Sequence, residues 1–145
     1  MNTQELITGV NQYRESKGLE ALAIDSELTA SAQVRVEQLC NGSEWSHDGW
    51  KDTVTYQYSK AGENLAKNYG DSQATVDAWI ASQKHEQNMV GQYKDTGMAV
   101  MTCGDDTYAV QHFATPPASP EWGLIGIVVV VAVVVGSILY AKLKS

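Results

Sequence analysis

The sequence predicts an α+β fold, with an antiparallel sheet covered by helices, followed by one C-terminal transmembrane helix. Three observations support this fold class: helical spacing of apolar residues up to position 80, alternating apolar runs at 97–103 and 107–113, and an uncharged stretch at 123–141. Helices that precede a hairpin, instead of alternating with single strands, favour an antiparallel sheet over a parallel doubly wound one. The 145 residues leave room for about one domain of ordinary size.

Three helices are predicted ahead of the strands. Apolar side chains recur at helical spacing up to Gly18 in the first, across residues 26–40 in the second and through Ile80 in the third. Each helix follows short polar side chains whose oxygens can accept hydrogen bonds from the first free backbone amides. These candidate N-caps are Asn2 or Thr3, Asp25 or Ser26, and Asp71 or Ser72.

The remaining chain of the domain is predicted as loops and a hairpin. Residues 41–70 are polar and rich in aromatic side chains, which predicts a loop, and a short turn is predicted at 84–90. The two alternating runs then form a β-hairpin joined by a Gly-Asp-Asp sequence at 104–106.

The uncharged stretch at 123–141 predicts a membrane span. Its 19 residues reach about 28 Å as a helix. Trp122 and Tyr140 bracket it at the depth that aromatic rings favour, and two lysines follow. The predicted division of the chain is a domain at 1–114, a proline-rich spacer at 115–121 and the transmembrane helix with its basic end at 122–145.

Charge limits the partners and leaves the orientation open. The chain before residue 123 holds all 17 acidic residues and 8 of the 10 basic ones, which argues against nucleic acid and against docking of the domain surface on anionic lipid. The lysines after the span favour an extracytoplasmic or virion-exposed domain. No secretory signal is visible, however, and simple tail anchoring would leave the domain in the cytosol.

Cys40 and Cys103 could form one disulfide or stay as two buried thiols.

The sequence offers few side chains that could act in catalysis or bind a metal. The sequence contains no nucleophile elbow, phosphate loop or dinucleotide fingerprint. The "HEQNM" run from His85 lacks the second histidine of a zinc-protease helix, because position 89 is Met. His112 alternates with Phe113 and is predicted to be a surface or helix-covered residue. Trp45 and Trp50 could line the rim of a ligand site or fill the core.

The order of several motifs resembles the CAP superfamily, which comprises the cysteine-rich secretory, antigen 5 and pathogenesis-related group 1 proteins. The resemblance covers residues 4–113 and is closest to the short microbial members. It is carried by the sequences "NQYRESKGLEAL", "HDGW", "AGENLA", "WIASQKHEQN", "TGMAV" and "YAVQHF". The resemblance implies an α-β-α sandwich with a central antiparallel sheet, in agreement with the pattern of helices and strands.

The resemblance also implies a cleft with two histidines and two acids. His47, Glu63 and His85 match three of these positions, while Ser82 stands where the second acid is usual. We therefore predict a ligand-binding site formed by these four residues, with zinc weakly bound by His47 and His85. Glu63 could ligate the metal, accept a proton from bound water, or only orient one of the histidines.

Three function classes remain. The leading hypothesis is a membrane-anchored binding module that takes a small apolar ligand, a divalent metal or a protein partner. One alternative is a structural membrane protein of a virion or envelope assembly. The other is a zinc-dependent hydrolase. It ranks lowest because the sequence contains no Ser/His/Asp or Cys/His spacing that would indicate a catalytic site.

Overall fold

The computed structural model describes residues 1–119 and shows four helices around a four-stranded sheet. In chain order the elements are α1 (Thr3–Ser16), β1 (Ala23–Ile24), α2 (Ser26–Cys40), a 3₁₀ turn (Trp50–Thr53), β2 (Lys60–Lys67), α3 (Ser72–Ala81), α4 (Gln83–Met89), β3 (Asp95–Cys103) and β4 (Asp106–Thr115). The first three helices confirm their sequence predictions. Their N-caps are Asn2, Asp25 and Asp71, and each accepts hydrogen bonds from backbone amides of the first turn.

The sheet is mixed, so the prediction of a wholly antiparallel sheet was wrong for one strand. The strand order is β1-β3-β4-β2, with β3 and β2 antiparallel to β4 and β1 parallel to β3. β1 is only two residues long, and the chain reaches this edge directly between α1 and α2. The N–H groups of Ala23 and Asp25 donate to the carbonyls of Lys94 and Thr96, 2.9 Å away in both cases.

Helices cover both faces of the sheet. On one face α2 packs Ala32, Val36 and Leu39 against the strands. On the other face α1, α3 and the end of α4 form the larger core, which includes Trp79 and Phe113. The helices and the sheet therefore make three layers, as the resemblance implied.

The two-residue strand β1, the 3₁₀ turn, β2 and α4 were not predicted. β2 lies inside the predicted loop at 41–70, because the polar side chains of Glu63 and Asn64 interrupt an apolar pattern although both are buried. α4 replaces the predicted turn at 84–90, and its only buried residue is Met89, so it has no apolar stripe that could have identified it.

One open alternative is decided by the fold. Cys40 at the end of α2 and Cys103 at the end of β3 form a disulfide, with their Cα atoms 5.7 Å apart.

Across residues 1–119 no helix combines the length and apolar character needed to cross a bilayer. The predicted transmembrane segment at 123–141 lies outside the described residues.

Candidate functional site

A buried carboxylate, that of Glu63 on β2, is at the centre of the candidate site. Its Oε1 accepts a hydrogen bond from Nδ1 of His47 at 2.8 Å. Its Oε2 accepts from Nε of Arg35 and Nε2 of His112, each at 3.2 Å. Glu63 and His112 are direct partners across β2 and β4, so their side chains project from the same face of the sheet. Both carboxylate oxygens are therefore used by groups of this chain.

These contacts keep Glu63 ionised despite its burial. Burial by itself would raise the pKa of Glu63, but the hydrogen bonds from His112 and His47 and the charge of Arg35 outweigh it and hold the pKa below the ordinary value. The side chain is only 1% exposed. An ionised carboxylate at this depth requires charged and hydrogen-bonding partners, and α2, β4 and the loop before β2 supply them.

Arg35 fixes both the backbone and the ring of the first site histidine. Its Nη2 donates to the carbonyl of Ser46 at 2.6 Å, one residue before His47, while its Nε holds the carboxylate that binds the His47 ring. Arg35 is itself buried, on the side of α2 that faces the sheet. Sequence reasoning missed this residue. A charged side chain within the apolar stripe of the predicted second helix was the available signal.

Ser31, His112 and Glu63 form a chain of hydrogen bonds that contains the residue types of a catalytic triad. The Oγ atom of Ser31 lies 2.7 Å from Nδ1 of His112, whose Nε2 contacts Glu63. All three residues are buried, with at most 4% of their surface exposed, so no substrate can reach the serine hydroxyl. The chain is therefore a structural network that connects α2 to the sheet. The sequence prediction that His112 is a surface or helix-covered residue is met by its position beneath α2, but its contact with Glu63 was not foreseen.

The second site histidine is held by different partners. Nδ1 of His85 lies 2.9 Å from Oγ of Ser82, the residue between α3 and α4. Asn64 of β2 donates to the His85 carbonyl at 3.1 Å and accepts from Asn88 at 2.9 Å, which ties α4 to the edge of the sheet. Burial and the nearby charge of His47 lower the pKa of His85. The neutral ring is therefore favoured near neutral pH.

His47 and His85 line the same cleft. The cleft has a volume of about 320 Å³, and the centroids of the two imidazole rings are 6.4 Å apart. Its other lining residues are Trp45, Ser46, Leu65, Ala66, Lys67 and Tyr69. Glu63 does not line it, since its carboxylate lies behind His47. The structure thus brings the predicted His47, Glu63, Ser82 and His85 into one neighbourhood, with only the two histidines at the cleft wall.

The two tryptophans that flank His47 have different environments. Trp45 is 47% exposed at the cleft, with its ring centroid 5.8 Å from that of Tyr108. Trp50 is buried against the ring of His112, 5.2 Å between centroids. Trp45 therefore lines the rim and Trp50 fills the core.

The side chains that could ligate a metal limit which ions the cleft could hold. Among residues 1–119 no group of three or more His, Cys, Asp or Glu side chains is placed to hold a metal ion. The two site histidines supply two nitrogens. Because Nδ1 of each ring contacts an oxygen of this chain, Nε2 is the atom left to face a ligand.

The comparisons with known proteins agree with the family and the fold that the sequence resemblance implied. The chain belongs to the cysteine-rich secretory protein (CAP) family, whose sequence model matches residues 7–113. The uncharacterized protein YkwD of Bacillus subtilis (strain 168) is 25% identical over 95 residues, which cover 60% of this chain. The match covers 37% of YkwD, so the chain spans little more than a third of that relative.

Two examples represent the solved structures that share the fold. An extracellular protein containing an SCP domain from Bacillus anthracis str. Ames has a TM-score of 0.69 at 24% identity, and the match covers 78% of this chain and 40% of that one. An outer surface protein from Borrelia burgdorferi has a TM-score of 0.68 at 18% identity, covering 77% of this chain and 90% of that one. At these identities the likeness concerns the fold alone.

Proposed function

We propose that this chain is a membrane-anchored, non-enzymatic ligand-binding module, whose cleft takes a divalent metal such as zinc, weakly bound, together with a small ligand. One observation carries the proposal. His47 and His85 face the same cleft, and each ring has its Nδ1 held by an oxygen partner, Glu63 in one case and Ser82 in the other. This arrangement leaves Nε2 of both rings as the nitrogen available for a ligand, as in histidines that bind metals through one nitrogen and are oriented through the other.

The chemistry of the two rings fits a borderline-soft divalent ion. Neutral imidazole nitrogen is a common zinc ligand, and the lowered pKa of His85 keeps that ring neutral at physiological pH. Two protein ligands leave the other positions of the ion to water or to a bound ligand, which favours weak binding. When bound, the metal would supply a positive charge that attracts an anionic or polar group of the ligand.

The position of Glu63 supports binding over hydrolysis. Many metal-dependent hydrolases use a carboxylate as the general base that takes a proton from metal-bound water. Both oxygens of Glu63 are occupied by donors from His47, Arg35 and His112, and the usual second acid is replaced by Ser82. Glu63 therefore acts on the cleft through His47, as a positioning residue.

Aromatic side chains support a partly apolar ligand. Trp45 and Tyr69 are 47% and 43% exposed, and both border the cleft. Exposed aromatic faces beside a few polar groups are typical of small-molecule sites, and the volume of about 320 Å³ is near the lower end of their usual range of about 300–1,000 Å³. The apolar stretch at 123–141 supports anchoring of the domain to a bilayer.

Zinc calorimetry on the full chain in detergent tests the metal site. We expect weak binding by the wild type and loss of the binding heat in the double variant His47→Ala plus His85→Ala. Glu86→Gln is a matched control, because Glu86 is adjacent to His85 in sequence but accepts a hydrogen bond from Tyr13 instead of facing the cleft. Identical zinc heats for the wild type and the double variant would show that the histidines do not bind the ion.

A further inference from the structure

The turn that follows α2 carries an Asn-Gly-Ser sequence, residues 41–43, which the cleft does not use. All three residues are exposed. The chain reverses direction here. The N–H of Gly42 donates to the Leu39 carbonyl at 3.3 Å, and Gly42 has a φ of 92°, a conformation that glycine adopts without strain. The acceptor sequence for N-linked glycans thus lies in an exposed turn outside regular structure, the setting in which such sequences are modified.

The side chain of Asn41 is free to react. Its backbone N–H donates to the carbonyl of Glu37 at 2.9 Å and helps to end the helix. Its side-chain amide, in contrast, makes no hydrogen bond to any residue of the described chain 1–119. The amide nitrogen is therefore available without any loss of structure.

The neighbouring residue indicates the compartment in which this turn would be found. Cys40 is bridged to Cys103, and such bonds form and persist in oxidising compartments, including the lumen of the secretory pathway. Enzymes that attach N-linked glycans act in that lumen. The disulfide and the acceptor sequence are independent features of the chain, and they point to the same environment.

We propose that Asn41 is an N-glycosylation site. In the reaction, Nδ2 of Asn41 forms a C–N bond to the anomeric carbon of an oligosaccharide carried on a lipid pyrophosphate. The bond between that carbon and the pyrophosphate oxygen breaks, the lipid pyrophosphate leaves with the electron pair, and the amide proton passes to a base of the transferase. No oxidant or reductant is required.

The glycan would stand beside the cleft without occupying it. Asn41 precedes the loop that carries Trp45 and His47, but it is not one of the residues that line the cleft. Zinc binding by the glycosylated and unglycosylated chains should therefore be the same. This expectation separates a failure of the glycan proposal from a failure of the metal proposal.

The test is the mass of the full chain made in a eukaryotic cell line, before and after treatment with an amide-cleaving N-glycosidase. We expect a loss of mass on treatment and conversion of Asn41 to aspartate. Asn41→Gln and Ser43→Ala should each lack the glycan, while Ser43→Thr should keep it, because threonine preserves the hydroxyl of the acceptor sequence.

Two outcomes would overturn the proposal. The first is a wild-type chain with the same mass before and after treatment. The second is a mass loss that persists in Asn41→Gln, which would locate the modification elsewhere.

Discussion

Replacing Glu63 with glutamine tests the buried network directly. The change keeps the size of the side chain but removes its charge and turns one of the two oxygens into an NH₂ donor. That donor must then face either His47 on one side or Arg35 and His112 on the other, where the carboxylate now accepts hydrogen bonds. The guanidinium of Arg35 would remain buried without its anionic partner.

The expected cost follows from this loss of a partner. Breaking a buried ion pair by removing one member costs about 3–5 kcal/mol, because the remaining charge is uncompensated. We therefore expect the free energy of unfolding of Glu63→Gln to be about 3 kcal/mol below that of the wild type at pH 7. Glu37→Gln, on the exposed side of α2, is a matched control that should stay within about 0.5 kcal/mol.

The hydrogen bonds and the ion pair of Glu63 also predict how the stability of the domain depends on pH. Because the pKa of Glu63 is lower in the folded state, its contribution to stability is complete above the ordinary carboxylate pKa of about 4.3 and is lost as the pH falls through the folded-state value. Glu63→Gln should lack this acid-dependent part. Urea unfolding of residues 1–118, which we expect to fold alone, can be followed by tryptophan fluorescence at pH 7 and below pH 4. A variant within about 1 kcal/mol of the wild type at pH 7 would refute the reasoning.

Three further predictions concern other parts of the domain. In Gly97→Ala the new Cβ would collide with the backbone of α2, so we expect a loss of about 3 kcal/mol and a lower melting temperature. Substitution of both Cys40 and Cys103 with serine should lower the free energy of unfolding by about 4 kcal/mol for a loop of this length. Urea unfolding measures this loss, and an unchanged midpoint of the urea transition would contradict the prediction. An NMR titration should place the pKa of His85 below the ordinary value of 6.5. His47→Ala should raise the pKa of His85, because it removes a nearby positive charge. An unchanged pKa of His85 in this variant would show that His47 does not influence it.

Local signals in the sequence were sufficient for the long helices. Asn2, Asp25 and Asp71 cap helices because their side chains accept bonds from amides only two or three residues away, and such contacts are visible in the sequence. The hairpin was also predicted, since alternation along each strand records which face is buried. Each of these elements depends on interactions within a few residues.

The missed elements depend on distant partners. β2 contains the buried polar residues Glu63 and Asn64, which are satisfied by Arg35 and His112 and by Asn88 respectively. No local pattern shows such partners, because the pairing depends on the register of β2 with β4 and on the way α2 packs over the sheet. The motifs identified the two cleft histidines and Glu63 by family resemblance. Only the fold shows that Glu63 supports His47 from behind.

The direction in which β4 leaves the sheet has a consequence for an anchored chain. Tyr108 of β4 pairs with Lys67 of the cleft, and Thr115 at the end of β4 pairs with Lys60, seven residues further on and roughly 24 Å away at about 3.4 Å per residue. If residues 123–141 enter a bilayer, the chain leaves the domain at the end away from Lys67 and Tyr69. Lys67 and Tyr69 of the cleft would then be separated from the point of attachment by most of the length of β2 and β4.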